Sequence, residues 1–221
     1  MRPRRPAARA RRAVHDAIDT AGRDPTRRAL AEIRRAGPSA EGNPADPLVR
    51  TLIRAWIGAI VSSFEVSGLE HLAATGGRPV VLLSNHLSFV DTSATDRALV
   101  AAGAVDLADR LTVLAGPKVW DTPLHALATR ALNVVPTAQS AAVGGQSARA
   151  AAAEILHGIA LARTRTGEGS PLLIYGEGTR SRSGRLGPFL KGIRHYLGAP
   201  HTLVVPVALW GTDQVYPLGR A

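Results

Sequence analysis

The stretch SNHLSFVD, Ser84–Asp91, decides how this chain folds and where its chemistry lies. It follows the continuous apolar run Val80–Leu83, which is typical of a strand buried on both faces, as in a parallel sheet. Open α/β sheets bind their ligands at the carboxyl ends of the strands, and His86 lies just beyond such an end. The stretch therefore predicts a functional site at the end of a buried strand.

Strands and helices are predicted to alternate on both sides of this stretch. The predicted strands are Glu65–Ser67, Arg78–Ser84, Leu111–Ala115, Asn133–Pro136, Pro171–Tyr175 and Thr202–Leu209. The predicted helices are Leu48–Phe64, Thr92–Ala102, Thr122–Ala131, Gln146–Arg165 and Pro188–Leu197. This alternation predicts the α/β class, with a mixed, largely parallel sheet flanked by helices.

The composition predicts one sizeable domain preceded by a basic arm. The chain has 221 residues, of which 45% are hydrophobic, and no cysteine, which excludes disulfides, thiolate zinc sites and cysteine nucleophiles. The net charge is +10, and the first 50 residues hold 12 arginines against 6 acidic residues. We expect residues 1–47 to form a basic arm of one or two helices with a linker, and residues 48–221 to form the main domain.

The basic arm suits anionic lipid headgroups and nucleic acid equally well, and a solvated, partly disordered tail is a further alternative. Nucleic-acid binding is disfavoured because Phe, Tyr and Trp number three each and no nucleic-acid motif is present. No apolar run reaches about 18 residues, so no transmembrane helix is predicted. The amphipathic segment Leu48–Phe64, with Arg50 and Arg54, is expected either in a membrane interface or packed on the core.

His86 and Asp91 form a candidate acid–base pair. Their offset spans about 140° of a helix, so they meet only if His86 lies in a turn and Asp91 in the first helical turn. An aspartate bonded to one imidazole nitrogen leaves the other nitrogen free as a base. A satisfied polar pair is the alternative. A metal site is disfavoured because no second ligand stands at metal spacing, and a Ser88 nucleophile is disfavoured because it lacks a Gly-x-Ser-x-Gly elbow.

A second block, YGEGTRSRSGRLGPFLKG, Tyr175–Gly192, begins where the strand Pro171–Tyr175 ends. From Glu177 to Arg194 it carries five cations and one acid: Arg180, Arg182, Arg185, Lys191, Arg194 and Glu177. A cationic loop at a strand's carboxyl end suits an anionic headgroup or a coenzyme A phosphate, and a solvated basic turn is the alternative. Glu177 is expected either to pair with Arg180 or to hold an acceptor hydroxyl.

Together the two blocks resemble the glycerolipid acyltransferase family, which includes 1-acylglycerol-3-phosphate acyltransferases. The family's first motif, Asn-His-x4-Asp and often Asn-His-x-Ser-x-x-Asp, is matched by Asn85, His86, Ser88 and Asp91. Its second motif, Phe-Pro-Glu-Gly-Thr-Arg-Ser, is matched over Glu177–Ser181. A weaker match is VVPVAL, Val204–Leu209, and the resemblance covers roughly residues 48–216.

The resemblance implies a glycerol-3-phosphate acyltransferase-like fold and acyl transfer in phospholipid biosynthesis, from acyl-CoA or acyl carrier protein to a hydroxyl of a lysophospholipid or glycerol-phosphate-like acceptor. It implies that His86 and Asp91 are catalytic. The implied substrate-binding residues are Asn85, Ser88, Glu177, Gly178, Thr179, Arg180 and Lys191. No cofactor is expected, because a thioester is already activated. An anionic membrane surface is the expected partner, with the protein peripheral at the cytoplasmic face of the cell membrane.

Two departures from the family pattern are visible. Tyr175-Gly176 replaces the usual Phe-Pro. The family also carries an arginine that helps to hold the acceptor's phosphate, and the matching stretch here, LNVVPTAQ, Leu132–Gln139, has none. This gap leaves open a non-catalytic lipid- or membrane-binding relative of the same fold, although Arg180 could supply one cationic contact.

Overall fold

A computed structural model describes residues 6–36, 42–120, 122–138, 147–197 and 201–216. The strands are β1 (Val80–Ser84), β2 (Thr112–Ala115), β3 (Asn133–Pro136), β4 (Leu172–Tyr175) and β5 (Leu203–Val207). The α-helices are α1 (Pro6–Ala21), α2 (Arg23–Ala36), α3 (Pro47–Ile60), α4 (Leu69–Ala73), α5 (Asp91–Ala101), α6 (Val105–Arg110), α7 (Pro123–Thr129), α8 (Ala148–Gly167), α9 (Arg194–Leu197) and α10 (Thr212–Val215). Single 3-10 turns occupy Pro117–Trp120 and Lys191–Ile193.

The five strands form one sheet in the order β3-β2-β4-β1-β5, and every pairing is parallel. The residues of β1 alternate between two buried faces, as expected for a central parallel strand. Val80 and Leu82 pack with Leu99 of α5 and Ala108 of α6. Val81 packs on the other face, against the side of the sheet that α8 and α9 cover. The α/β class is therefore confirmed, in a three-layer arrangement.

The location of the site follows from the connections that leave the adjacent strands β1 and β4. The connection after β1 runs through α5 and α6 on one face, whereas the connection after β4 leads to α9 on the opposite face. Adjacent parallel strands whose connections leave in opposite directions open a crevice at their carboxyl ends, where α/β proteins bind ligands. The loops that follow β1 and β4 carry the two sequence motifs.

Several sequence predictions of local structure are corrected. Residues Glu65–Ser67 form no strand, because the segment has no pairing partner and leads directly into α4. The helices α4 and α6 were not predicted, since five or six residues are too short to show a helical period. The predicted helix Pro188–Leu197 begins only at the turn Lys191–Ile193, because Leu190 donates its N–H to the carbonyl of Gly176 (2.9 Å) and stays extended.

Parts of three predicted segments lie outside the described residues. These are the first residue of the predicted helix Gln146–Arg165 and the linker residues around Pro38, and the stretch Leu132–Gln139 ends at one more such residue. The remaining predicted strands and helices are present, with ends displaced by a few residues.

Helix α3 belongs to the core. It begins at Asp46, whose Oδ1 accepts the N–H groups of Leu48 and Val49 at 2.9 and 3.0 Å, with Pro47 in the first turn. Its apolar side chains, Val49, Ile53 and Ile57 among them, pack against the sheet and α5. Of the two expected locations for Leu48–Phe64, packing on the core is confirmed.

The arginines of α3 face neighbouring helices. Arg54 forms a bidentate ion pair with Asp96 of α5, with both N–O distances at 2.7 Å, and reaches Asp109 of α6 at 2.8 Å. These hydrogen bonds raise the pKa of Arg54, whereas burial lowers the pKa of Arg50. Arg50 donates to the backbone carbonyls of Ala131 and Asp109. The two charges therefore connect α3 to the core.

The basic arm is helical, as expected, and its first helix packs on α3. Ala10 is buried in that contact, while the arginines beside it, Arg9, Arg11 and Arg12, are exposed. The residues before α3 also join the main domain, because Asn43 forms an antiparallel bridge with Val134 of β3. No helix in the described ranges has both the length and the apolar character needed to cross a bilayer.

Candidate active site

His86 and Asp91 meet in the crevice between β1 and β4. His86 lies in the turn after β1, and Asp91 is the first residue of α5, so the geometry expected from their spacing is confirmed. The distance from His86 Nδ1 to Asp91 Oδ2 is 2.7 Å. The side chain of His86 is 21% exposed and that of Asp91 is fully buried, so a substrate can reach the imidazole but not the carboxylate.

The contacts of Asp91 define which nitrogen of His86 can act as a base. Asp91 Oδ2 also accepts the backbone N–H groups of Leu87 (2.6 Å) and Ser88 (2.9 Å), which fix the carboxylate in the turn. A carboxylate only accepts hydrogen bonds, so the proton shared with it lies on Nδ1 of the imidazole. Nε2 then carries the free lone pair and is the available base.

Tyr175, the last residue of β4, packs against one face of the imidazole of His86. Its ring stacks on that of His86 with the centroids 4.0 Å apart and an interplanar angle of 14°. Its hydroxyl is 2.9 Å from Thr92 Oγ1 on α5. Burial, followed by the nearby charge of Asp91, raises the pKa of Tyr175 well above its usual value, so the ring remains neutral beside His86.

Glu177 connects the two motif loops. Its Oε1 accepts the backbone N–H of His86 (3.1 Å), and its Oε2 accepts the N–H of Gly187 (3.0 Å). A second bond joins the same loops, from the N–H of Ser181 to the carbonyl of His86 (2.7 Å). Among the contacts of the described residues there is no ion pair between Glu177 and Arg180, so that expected role is not observed. Instead, the carboxylate holds the His86 turn against the cationic loop.

Asn85 and Ser88 are engaged by the chain itself. The amide of Asn85 pairs with the backbone of Leu209 in both directions, at 2.7 and 2.8 Å, and so ties the His86 turn to the segment after β5. Ser88 is fully buried and donates its hydroxyl to the carbonyl of Tyr216 (2.7 Å). These contacts give both residues a positioning role, and a direct substrate contact by either stays a prediction.

The other predicted binding residues lie in the segment that follows β4. Gly178 adopts φ 63°, and a side chain there would collide with Leu190, so this turn requires glycine. Thr179 and Lys191 are exposed, and Arg180 is half-buried directly before Ser181. Their exposure leaves them accessible to a ligand in the crevice. No group of three or more metal-ligating side chains occurs in the part of the chain that the structure describes.

Sequence reasoning missed Tyr175, Leu209 and Tyr216 as parts of this site. Tyr175 was visible only as a departure from the family's Phe-Pro pair. Its contact with His86 follows from the pairing of β4 with β1, which brings Ser84 beside Tyr175. Leu209 and Tyr216 take part through their backbone atoms, for which a sequence carries no side-chain signal.

The chain is similar to known proteins over most of its length. Residues 63–210 match the Acyltransferase family. The chain is 26% identical over 155 residues to a chloroplastic 1-acyl-sn-glycerol-3-phosphate acyltransferase of Brassica napus, which covers 70% of this chain and 39% of that protein. It is 29% identical over 164 residues to a 1-acyl-sn-glycerol-3-phosphate acyltransferase of Limnanthes douglasii, covering 74% and 50%. The chain thus spans half or less of these relatives. Because the match extends over well more than half of its residues, the chain belongs to the Acyltransferase family.

Proposed function

We propose that this chain is an O-acyltransferase of phospholipid biosynthesis. It moves a fatty acyl group from acyl-CoA or acyl carrier protein to a hydroxyl of a lysophospholipid or glycerol-phosphate-like acceptor. The observation that carries the proposal is the His86–Asp91 pair, with Nε2 available, in the crevice between β1 and β4. The names of the related proteins support the same acceptor class.

In the proposed mechanism His86 acts first as a base and then as an acid. The acceptor oxygen attacks the thioester carbonyl carbon while its proton passes to Nε2 of His86. The tetrahedral intermediate then collapses, the C–S bond breaks, and the imidazolium returns the proton to the leaving thiolate. Asp91 holds the ring and stabilises the imidazolium, and Tyr175 supports the ring from below. A base placed in this way contributes about 10²–10⁴ in rate.

The cationic loop after β4 is proposed to hold the anionic part of the acceptor. Arg180 immediately precedes Ser181, whose N–H bonds the carbonyl of His86, so the backbone of Arg180 is held next to the His86 turn. Lys191 adds an exposed cation. A planar guanidinium suits bidentate binding of a phosphate. This arrangement compensates for the missing arginine in the stretch Leu132–Gln139, of which the described part carries none.

We further propose that the protein works as a peripheral protein at the cytoplasmic face of the cell membrane. The charge distribution supports this, because the exposed arginines of α1 and of the β4 loop favour an anionic surface.

The test is an acceptor and donor panel. Purified protein is given labelled acyl-CoA or acyl carrier protein with lysophosphatidate, other lysophospholipids and glycerol 3-phosphate in detergent. His86→Ala is expected to lower the rate at least 10²-fold, and Asp91→Asn, which preserves the size of the buried side chain, by a similar factor. His71→Ala is the matched control, because His71 is exposed and lies on α4.

Normal turnover by His86→Ala would overturn the mechanism. An inactive wild type that still binds lysophospholipid would instead favour the non-catalytic relative.

A further inference from the structure

Large apolar side chains are exposed at the same edge of the sheet as the crevice. Leu186, Phe189 and Leu190 follow β4, and Trp210 follows β5. We call these four residues the docking rim. Their exposed fractions are 64%, 44%, 56% and 78%, respectively. Apolar exposure of this extent beside a site is typical of a binding surface.

Contacts with Gly176, and the position of Trp210 beside Leu209, fix the residues of the docking rim. Leu190 donates its N–H to the carbonyl of Gly176 (2.9 Å), and the ring of Phe189 lies over that glycine, which has no side chain to obstruct it. Trp210 is adjacent to Leu209, whose backbone pairs with Asn85. Phe189 and Leu190 are therefore fixed to the end of β4, and Trp210 is adjacent to a residue that holds the His86 turn.

Exposed basic residues lie next to the docking rim in sequence. Arg182, Arg185 and Lys191 are exposed within the same loop as its three apolar residues. Glu177, the one acid between Gly176 and Arg194, is buried, and both its oxygens accept backbone N–H groups. A surface that combines leucine, phenylalanine and tryptophan with arginine and lysine complements the boundary between anionic headgroups and acyl chains.

The basic arm offers charge without comparable apolar contact. Ala10 of α1 is buried, whereas Arg9, Arg11 and Arg12 beside it are exposed. The arm can attract an anionic surface, whereas the docking rim can also insert into it.

We propose that the docking rim binds the surface of an anionic lipid bilayer and so presents the crevice directly to lipids in that bilayer. The inference rests on the proposed function, in which a fatty acyl group is transferred to a lipid-like acceptor. It places the crevice opening, rather than the arm, on the membrane.

The experiment is co-sedimentation with phosphatidylcholine vesicles, with and without phosphatidylglycerol. Leu186→Asp is expected to weaken binding to the mixed vesicles at least tenfold. Leu156→Asp is the matched control, since Leu156 on α8 is exposed to a similar extent, 66%, and should bind like wild type. Arg182→Gln/Arg185→Gln should lose most of the preference for phosphatidylglycerol, whereas Arg27→Gln/Arg28→Gln on α2 should retain it.

Trp210 provides a second readout in the intact protein. Its emission should shift to shorter wavelength on mixed vesicles and be quenched by spin-labelled lipid, and Trp210→Phe should remove most of this response. Wild-type binding by Leu186→Asp, or loss of binding only on changing the arm, would overturn the proposal. A protein dimer that Leu186→Asp dissociates would also overturn it, because the rim would then be a subunit interface.

A soluble assay separates this inference from the proposed function. With a short-chain acyl thioester and a short-chain lysophospholipid below its micelle concentration, Leu186→Asp should transfer acyl groups like wild type, and His86→Ala should not. If the docking rim binds vesicles but the protein transfers no acyl group, the proposed function is refuted and the membrane-binding proposal is supported. If the protein transfers acyl groups but its vesicle binding does not depend on the docking rim, the membrane-binding proposal is refuted and the proposed function is supported.

Discussion

At the scale of single residues, two side chains hold the imidazole of His86 in place. Asp91 fixes the imidazole of His86 from one edge, and Tyr175 supports its face. The His–Asp pair was predictable because five positions of sequence limit where the two can meet. The tyrosine was not, because it lies 89 residues after His86 and approaches it only through the pairing of β4 with β1.

The buried hydroxyl of Tyr175 is expected to make stability depend on alkaline pH. Its pKa is raised in the folded protein, so above the usual tyrosine pKa of about 10 the unfolded chain loses a proton that the folded chain retains. Stability must then fall as the pH rises past about 10. Tyr175→Phe removes this dependence along with the bond to Thr92, which costs about 1 kcal/mol at pH 8.

Urea unfolding of both proteins from pH 8 to pH 10.5 measures the effect. The difference in the free energy of unfolding between wild type and Tyr175→Phe should narrow as the pH rises. A difference that stays constant over this range would show that Tyr175 ionises alike in the folded and unfolded states. Tyr196, whose pKa burial also raises, leaves a residual pH dependence in the variant.

At the scale of elements, α3 shows how tertiary contacts override a local pattern. Arg50 and Arg54 gave the helix an amphipathic appearance that fitted a membrane interface as well as a core. Their partners, Asp96 and Asp109, lie on α5 and α6, more than 40 residues further along the chain. Sequence spacing carries no information about such contacts. The long apolar strands were predictable for the opposite reason, since their signal is local.

Replacing Asp96 by asparagine should therefore destabilise the fold. Arg54 would keep its charge in a place where its side chain is only 19% exposed, having lost the bidentate partner. Because Arg54 keeps its contact with Asp109 (2.8 Å), the expected cost is about 2 kcal/mol, less than for a buried charge left without any partner. Chemical denaturation measures this loss.

Asp19→Asn is the matched control, because Asp19 pairs with Arg23 on the surface, with side chains 58% and 78% exposed. Its effect should stay within about 0.5 kcal/mol. Equal effects of the two substitutions would show that the Arg54 pair is not stabilising.

At the scale of the whole molecule, contacts cross the predicted boundary at residue 47. Composition separates a basic arm from an apolar domain, but composition does not show contacts. In the structure α1 packs on α3, and Asn43 bonds β3. The exposed arginines made the arm look like a separate basic segment in the sequence. A small side chain such as Ala10 did not indicate that α1 packs on α3.

Deleting residues 1–36 should lower the melting temperature by several degrees, since uncovering α3 costs a few kcal/mol and each kcal/mol is worth about 2–4 °C at this size. Arg11→Gln, which changes the charge of α1 on its exposed side, is the control and should melt like wild type. Thermal denaturation followed by circular dichroism distinguishes them. Identical melting of the deleted and full chains would establish the arm as a separate unit.

The position of β4 between β2 and β1 has a consequence for synthesis on the ribosome. Strands β1, β2 and β3 leave the exit tunnel first, yet β1 and β2 have no neighbour in common until β4 arrives. The nascent chain therefore holds open strand edges for the time needed to translate roughly ninety further codons, which is several seconds. The contact between Glu177 and the backbone of His86 likewise cannot form before residue 177 has been synthesised.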